Sequence, residues 1–181
     1  MTSREPGPAL LTLEILTRIM GLAGKPEQFY TGVTDEIREL TGGRLVVLVG
    51  SRHLSSFEPR ILHVNPGREC HLCAAASFET LRLETPNFEA LEIWGPQEGP
   101  LIIRSTLLQL EMDAAMVIPL NSASKKLGAI FVFGLPDSKR LPTVREALQE
   151  TLSPLAKTVG LLLENTLLIE EQENLLEGRT R

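Results

Sequence analysis

One long C-terminal helix constrains this chain more than any other feature of its sequence. Between Leu148 and Leu176, core positions recur at alternating spacings of four and three residues, which is an a/d heptad pattern. The pattern predicts a helix from about 141 or 142 to about 177, roughly 54 Å long. Such a helix exceeds the width of a small domain. We therefore expect its first half to pack on a sheet and its second half, from about Glu164, to need a partner chain.

The segments before this helix alternate between helical and strand patterns. The spacing of apolar residues predicts helices over 10–22 and 26–40. Short apolar runs without polar alternation are typical of buried strands. We expect strands at 44–50, 57–64, 114–120 and 127–134. The polar stretch between the last two predicts an antiparallel hairpin.

The middle of the chain is less regular. Its composition favours a helix over 74–83 and a helical turn or irregular loop from Phe88 to Trp94. A short strand at 101–103 and a short helix at 107–110 follow. The whole order predicts an α+β fold, with a central antiparallel sheet of about five to six strands and the N- and C-terminal helices packed on one face.

Composition excludes several classes of protein. The chain has 181 residues and a formal net charge of −5, which argues against a broad basic nucleic-acid-binding face. Two cysteines are too few for a disulfide scaffold. The uninterrupted apolar runs fall well short of the roughly 20 residues of a membrane span, and the N-terminus lacks a signal-peptide pattern. We expect a soluble, cytoplasmic domain that binds neither nucleic acid nor a membrane.

Several motifs resemble GAF domains. The segment 116–134 is similar to the last strand pair of that family, with Pro119-Leu120 ending one strand and Gly128 near the start of the next. The step Leu163-Glu164-Asn165 resembles part of the closing GAF helix. The resemblance covers about 10–170 and implies a GAF-like fold.

The resemblance also implies a function and an organisation. GAF domains are usually non-catalytic sensors in bacterial signalling proteins, such as sensor histidine kinases, cyclic-di-GMP enzymes or HD-type phosphohydrolases. They dimerise through terminal helices and pass a signal to a downstream output domain. We expect a disordered start at 1–9, the sensory domain at 10–163 and a coiled-coil extension at 164–181. The expected homodimer interface consists of Leu11, Ile15, Ile19, Leu155, Leu162, Ile169 and Leu176.

The segment Cys70-His71-Leu72-Cys73 has the most distinctive chemistry in the sequence. A Cys-x2-Cys pair can be half of a zinc site or a redox pair, but no second cysteine pair exists to complete a zinc site. The cysteines can equally be small apolar core residues. Some GAF domains carry a bilin on a cysteine followed by histidine. Cys70 lies more than forty residues before the strand near Ala114, so its position does not match that family pattern.

Two further residues lie in the region that usually walls a GAF pocket. Trp94 could stack on a ring ligand, and Arg104 could pair with a carboxylate or phosphate. The alternatives are a core tryptophan and a solvated arginine. The candidate ligand-binding residues are Cys70, His71, Cys73, Trp94 and Arg104. The sequence identifies no cofactor and predicts no complete metal site.

Two other functions remain open at this point. One is a dimerisation scaffold that binds no ligand. The other is a small cysteine-dependent enzyme, such as a free methionine sulfoxide reductase, which resembles a GAF domain but uses several cysteines on separate segments. The sequence contains no Gly-x-Ser-x-Gly elbow and no phosphate-binding glycine loop, so we expect no catalytic activity.

Overall fold

The computed structural model describes residues 8–54, 56–67, 77–123, 125–137 and 142–178. Five α-helices, one short 3-10 helix (Thr85–Asn87) and five strands lie in these ranges. In chain order they are α1 (Pro8–Met20), α2 (Pro26–Thr41), β1 (Leu45–Ser51), β2 (Pro59–Asn65), α3 (Ser77–Glu84), β3 (Glu92–Trp94), α4 (Leu101–Leu110), β4 (Ala115–Ser122), β5 (Lys125–Phe133) and α5 (Pro142–Leu176). Residues 1–7 of the predicted disordered start (1–9) lie outside the described residues, and α1 begins at Pro8.

The five strands form one sheet in the order β2-β1-β5-β4-β3, and every neighbouring pair is antiparallel. The predicted hairpin is β4-β5, in which Ile118 lies opposite Ile130. Strand β1 completes the centre of the sheet, with Leu48 opposite Ile130 on its other side. The α+β fold with a central antiparallel sheet is therefore confirmed.

Both sides of the sheet are covered, which explains why its central strands lack polar alternation. Along β1, Val46 and Leu48 belong to one buried cluster, while Leu45, Val47 and Val49 belong to the other. Because successive strand residues point to opposite sides, a strand covered on both sides needs apolar residues at every position.

We name the two sides by the helices that cover them. The long-helix face carries α1, α2 and α5, so the terminal helices share one side as predicted. The short-helix face carries α3 and α4. Helix α2 shows how sequence sets this packing, because Phe29, Val33 and Ile37 line its buried stripe and Gly42 ends it in a left-handed conformation.

Two predictions for the middle of the chain are wrong. The expected strand at 101–103 is the first turn of α4, because Ile103, Thr106 and Leu107 repeat at helical spacing and face the core. The segment from Phe88 to Trp94, expected to be a helical turn or an irregular loop, ends in β3, which pairs with β4 through only three residue pairs. Strand formation there follows from that pairing, since three residues are too few to carry a strand pattern.

Helix α5 packs on the domain further than expected. Leu152, Leu155 and Val159 are buried on the long-helix face, in agreement with the heptad pattern. Beyond the expected boundary at Glu164, however, Thr166 and Leu167 are also buried. The domain therefore covers α5 for about one more helical turn than the charge pattern indicated.

Helix α5 is also long and apolar enough to match a membrane span by length and composition alone. One 18-residue window has a mean hydropathy of 1.2, although 39% of that window is buried inside the domain. The sequence-based expectation of no membrane span did not identify this window, because it considered only uninterrupted apolar runs. Core helices of soluble proteins meet the same criterion, and the burial of α5 against the sheet accounts for part of its apolar character.

Candidate functional site

An aromatic cluster fills the described part of the short-helix face. Phe131 on β5 is in edge contact with Phe88 at 5.3 Å between ring centroids and stacks on Phe133 at 6.5 Å. Phe88 also meets Trp94 edge to face at 6.0 Å. All four side chains are at most 9% exposed. Such ring pairs add to the stability gained from burial.

Trp94 and Arg104 occupy different environments around this cluster. Trp94 is 7% exposed, and a side-chain carbon at Gly99 would come within 2.7 Å of its ring. Glycine is therefore required where the loop crosses the indole, and its positive φ of 87° favours glycine as well. Arg104 lies on the exposed side of α4. The structure places Trp94 in the core and Arg104 in solvent.

A polar cluster fixes α5 near its C-terminal end. The Tyr30 hydroxyl donates a hydrogen bond of 2.9 Å to the Glu170 carboxylate, and Arg60 forms an ion pair of 2.7 Å with the same oxygen. These residues come from α2, α5 and β2. We name them the Glu170 cluster. Burial, followed by the negative charge of Glu170, raises the pKa of Tyr30 above its ordinary value.

A second ion pair joins the two N-terminal helices. Arg18 on α1 lies 3.2 Å from Glu36 on α2. Burial raises the pKa of Glu36, and the positive charge of Arg18 partly opposes this effect. The contact fixes α1 beside α2, where Ile15 and Ile19 are buried in the long-helix core.

Helix α5 exposes a row of leucines that the sequence analysis did not single out. Leu161, Leu168 and Leu175 are 58%, 42% and 66% exposed. Their spacing of seven residues places them on one side of the helix. We name this the outer leucine row. The seven-residue spacing of these leucines is visible in the sequence. The predicted heptad pattern, however, followed a different row of α5, which includes Leu155 and packs on the sheet.

Three solved structures place this arrangement among known folds. The GAF domain of a protein described as a sensor histidine kinase from Pseudomonas syringae pv. tomato has a TM-score of 0.62 and 14% identity, covering 91% of this chain and 90% of that one. The photosensory core module of a Stigmatella aurantiaca phytochrome has a TM-score of 0.60 and 16% identity, covering 99% of this chain and 41% of that one. The phycoerythrobilin-bound GAF domain of a cyanobacterial phytochrome has a TM-score of 0.55 and 14% identity, covering 91% of this chain and 98% of that one.

The chain has a GAF-like fold. It spans less than half of the Stigmatella module but nearly all of the two isolated GAF domains. No family model and no curated protein sequence matches it.

The described part of this GAF-like domain contains two of the five predicted ligand-binding residues, Trp94 and Arg104. Cys70, His71 and Cys73 lie outside the described residues. Within the described ranges, no group of three His, Cys, Asp or Glu side chains could hold a metal ion. His53, one of the two histidines outside the segment 70–73, lies 3.3 Å from Glu58 on the surface.

The predicted dimer interface divides into covered and exposed positions. Ile15, Ile19 and Leu155 are buried within their own chain, whereas Leu176 is 87% exposed. Leu162 and Ile169 are half-buried, and the side chain of Leu11 is not described. Dimerisation stays a prediction, and the outer leucine row offers more accessible apolar surface than the predicted positions.

Proposed function

We propose that this chain is a small-molecule-sensing regulatory domain of a bacterial signalling protein, such as a sensor histidine kinase, a cyclic-di-GMP enzyme or an HD-type phosphohydrolase. The observation that carries this proposal is the GAF-like fold, in which one helix both packs on the sheet and presents the outer leucine row. The domain itself performs no catalysis. Its signal passes along α5 to an output domain that follows it.

The relay depends on α5 having two arrangements. Its first half packs on β4 and its later part is bound by the Glu170 cluster, so a shift of α5 changes both contacts. A ligand moves α5 only if it binds one arrangement more tightly than the other. In a homodimer, the outer leucine row converts that shift into a changed contact between the two α5 helices.

Bilins are not proposed as the ligand. Two of the similar domains belong to phytochromes, and one holds phycoerythrobilin. In this chain, Phe88, Phe131 and Trp94 occupy the described part of the short-helix face. Cys70, His71, Cys73, Trp94 and Arg104 stay candidate ligand-binding residues for a smaller molecule that enters from the 68–112 region.

A dimerisation scaffold without a ligand is the second candidate. The filled aromatic cluster supports it, because a dense core leaves no volume for a small molecule between the rings. Trp94 is the chain's single tryptophan, so its fluorescence reports on this cluster. Benzoate, a small ring that carries a carboxylate, is a suitable first probe, because ring stacking and carboxylate pairing are the contacts expected of Trp94 and Arg104. A scaffold predicts unchanged Trp94 emission, whereas a ligand that enters the cluster changes the emission saturably.

Sedimentation analysis tests the dimer. Leu168→Asp places a charge in the middle of the outer leucine row and should convert a dimer into a monomer, because a buried unpaired charge is costly. Asn174→Asp is the matched control, since Asn174 is exposed on the same helix and lies about 120° around it from Leu168, away from the outer leucine row. A dimer that survives Leu168→Asp, or a monomeric wild-type chain, would refute the proposed relay.

A further inference from the structure

A groove lies on the long-helix face at the β3 edge of the sheet. It lies between α5 and the outer half of β4 and has a volume of about 560 Å³. We name it the edge groove. It is separate from the aromatic cluster, because it lies on the opposite side of the sheet, and no residue predicted from the sequence to bind a ligand lines it.

The groove exists because β3 is short. Strand β3 pairs only with Ala115, Met116 and Val117, so β4 from Ile118 to Ser122 has no described strand on its outer side. Ile118, Pro119 and Ser122 line the groove from this free edge. An unpaired edge can accept an added strand, but Pro119 has no N–H to donate, which disfavours a peptide there.

The backbone sets the position of the opposite wall. A side-chain carbon at Gly160 of α5 would come within 2.4 Å of the Asn121 carbonyl oxygen on β4. Glycine at this position therefore lets the helix and strand approach closely. In this arrangement of α5, the close backbone approach holds the two walls together, so the groove is already formed without a ligand.

The lining is mainly apolar, with one uncompensated charge. Leu91, Ile118, Ala156 and Leu161 provide apolar surface. Two charged residues line the groove. Glu89 lies 3.7 Å from Lys126, so its charge is compensated. Lys157 is exposed and, within the described part of the chain, has no acidic side chain at ion-pair distance.

We propose that the edge groove binds a small amphipathic anion, with its apolar body between β4 and α5 and its carboxylate on Lys157. The volume falls in the range of roughly 300–1,000 Å³ that is typical of small-molecule sites. An apolar wall with one cation selects a chain or ring that ends in a single acidic group. A neutral or cationic molecule of the same length lacks the ion pair.

This inference deepens the sensory function and rests on it for its consequence. A ligand that contacts both β4 and α5 favours the helix position in which the two walls fit its body. Leu161 belongs both to the groove and to the outer leucine row. Binding would therefore act directly on the helix proposed to carry the signal.

Decanoate, a ten-carbon monocarboxylate, is the probe that tests the site. Isothermal titration on the full chain should show saturable binding, and amide shifts in NMR should concentrate at 118–122 and 153–161. Hexanoate should bind at least about tenfold more weakly, because each buried methylene contributes to affinity. Decyltrimethylammonium, which has the same chain length and the opposite charge, should bind more weakly than decanoate.

Lys157→Met removes the charge and keeps most of the apolar stem. It should weaken decanoate binding about threefold to fivefold, as expected for an exposed ion pair. Lys125→Met is the matched control, because Lys125 is exposed on β5 and does not line the groove. Equal affinities in the two variants would overturn the assignment of Lys157.

The outcomes separate this inference from the proposed function. Saturable binding at the groove that leaves the amide shifts of Leu168 and Leu175 unchanged supports the site and refutes its link to the relay. An absence of decanoate binding, or shifts confined to the short-helix face, overturns the site and leaves the sensory function open. Shifts at the groove that depend on protein concentration without decanoate would show that a second copy of the chain fills it.

Discussion

The two faces of the sheet use different packing to cover the same five strands. On the long-helix face, three helices bury mainly aliphatic side chains and leave a groove at the β3 edge. On the short-helix face, two short helices and their loops bury an aromatic cluster. Long helices cannot follow a twisted sheet to its edge, whereas large rings can fill the irregular volume beneath short elements.

This difference suggests a division of roles. The short-helix face stabilises the sheet through dense ring packing. The long-helix face contains the groove, the exposed leucines and the Glu170 cluster, all of which involve α5. We therefore expect mutations on the short-helix face to affect mainly stability, and mutations along α5 to affect binding and assembly.

The largest effect is expected from Phe131→Ala on the short-helix face. Phe131 is fully buried and contacts both Phe88 and Phe133, so its loss should lower the free energy of unfolding by about 3–5 kcal/mol. The measurement is urea unfolding. Ile130→Ala is the matched variant, because the neighbouring residue is equally buried on the other face and should cost about 2–5 kcal/mol.

Benzene binding to the Phe131→Ala variant tests how rigidly the short-helix face is packed. Phe131→Ala should leave an apolar cavity that binds benzene, and benzene should raise the melting temperature of this variant but not of the wild type. If the cluster collapses into the vacated space, benzene will have no effect, and the short-helix face is then more adaptable than its ring packing indicates.

Gly160→Ala should have an intermediate effect, on the long-helix face. The added carbon meets the Asn121 carbonyl, so α5 must move away from β4 at a cost of about 1–3 kcal/mol, despite the better helix propensity of alanine. Urea unfolding measures the cost, and decanoate titration measures the altered groove. Asn165→Ala, an exposed position on the same helix that does not line the groove, should change stability by less than about 0.5 kcal/mol. Equal effects of the two variants would contradict the close approach.

The smallest effect is expected from Tyr30→Phe in the Glu170 cluster. Removing the hydroxyl deletes one hydrogen bond to Glu170 and should cost about 1 kcal/mol near neutral pH. The folded chain holds the Tyr30 proton more tightly than the unfolded chain does. This group therefore stabilises the fold fully below its ordinary pKa of about 10, and the contribution is lost as pH rises through its raised folded-state pKa.

Tyr30 is the chain's single tyrosine, so absorbance at alkaline pH follows its ionisation directly. We expect the folded chain to ionise at higher pH than the chain in urea. The Phe variant should lose less stability above pH 10 than the wild type. Ionisation at the same pH in both states would contradict the contacts of the Glu170 cluster.

The sequence predicted the fold where a pattern was long enough to repeat. Phe29, Val33 and Ile37 define one side of α2, and the apolar runs of β1, β4 and β5 require cover on both faces. The pattern failed at Leu101–Ile103, because three aliphatic residues suit a strand and a helix equally. It failed at Glu92–Trp94, because that strand depends on its pairing with β4.

The site was less predictable than the fold. Trp94 was singled out for its chemistry, yet its environment follows from Phe88 and Gly99, which lie at different positions along the chain. Tyr30, Arg60 and Glu170 showed no sequence signal, since the cluster joins residues up to 140 positions apart. The edge groove depends on where β3 stops pairing, and no local pattern encodes that end.

By itself, the sequence determined which segments are helices or buried strands outside the middle of the chain, and that the terminal helices share one face. Local spacing suffices for this, because each buried stripe must face the core. Only the tertiary structure decided which face the rings fill, how closely α5 approaches β4 at Gly160, and that the outer leucine row is exposed. These properties depend on the volume and distance between elements that are remote in sequence, and periodicity along one element carries no information about either.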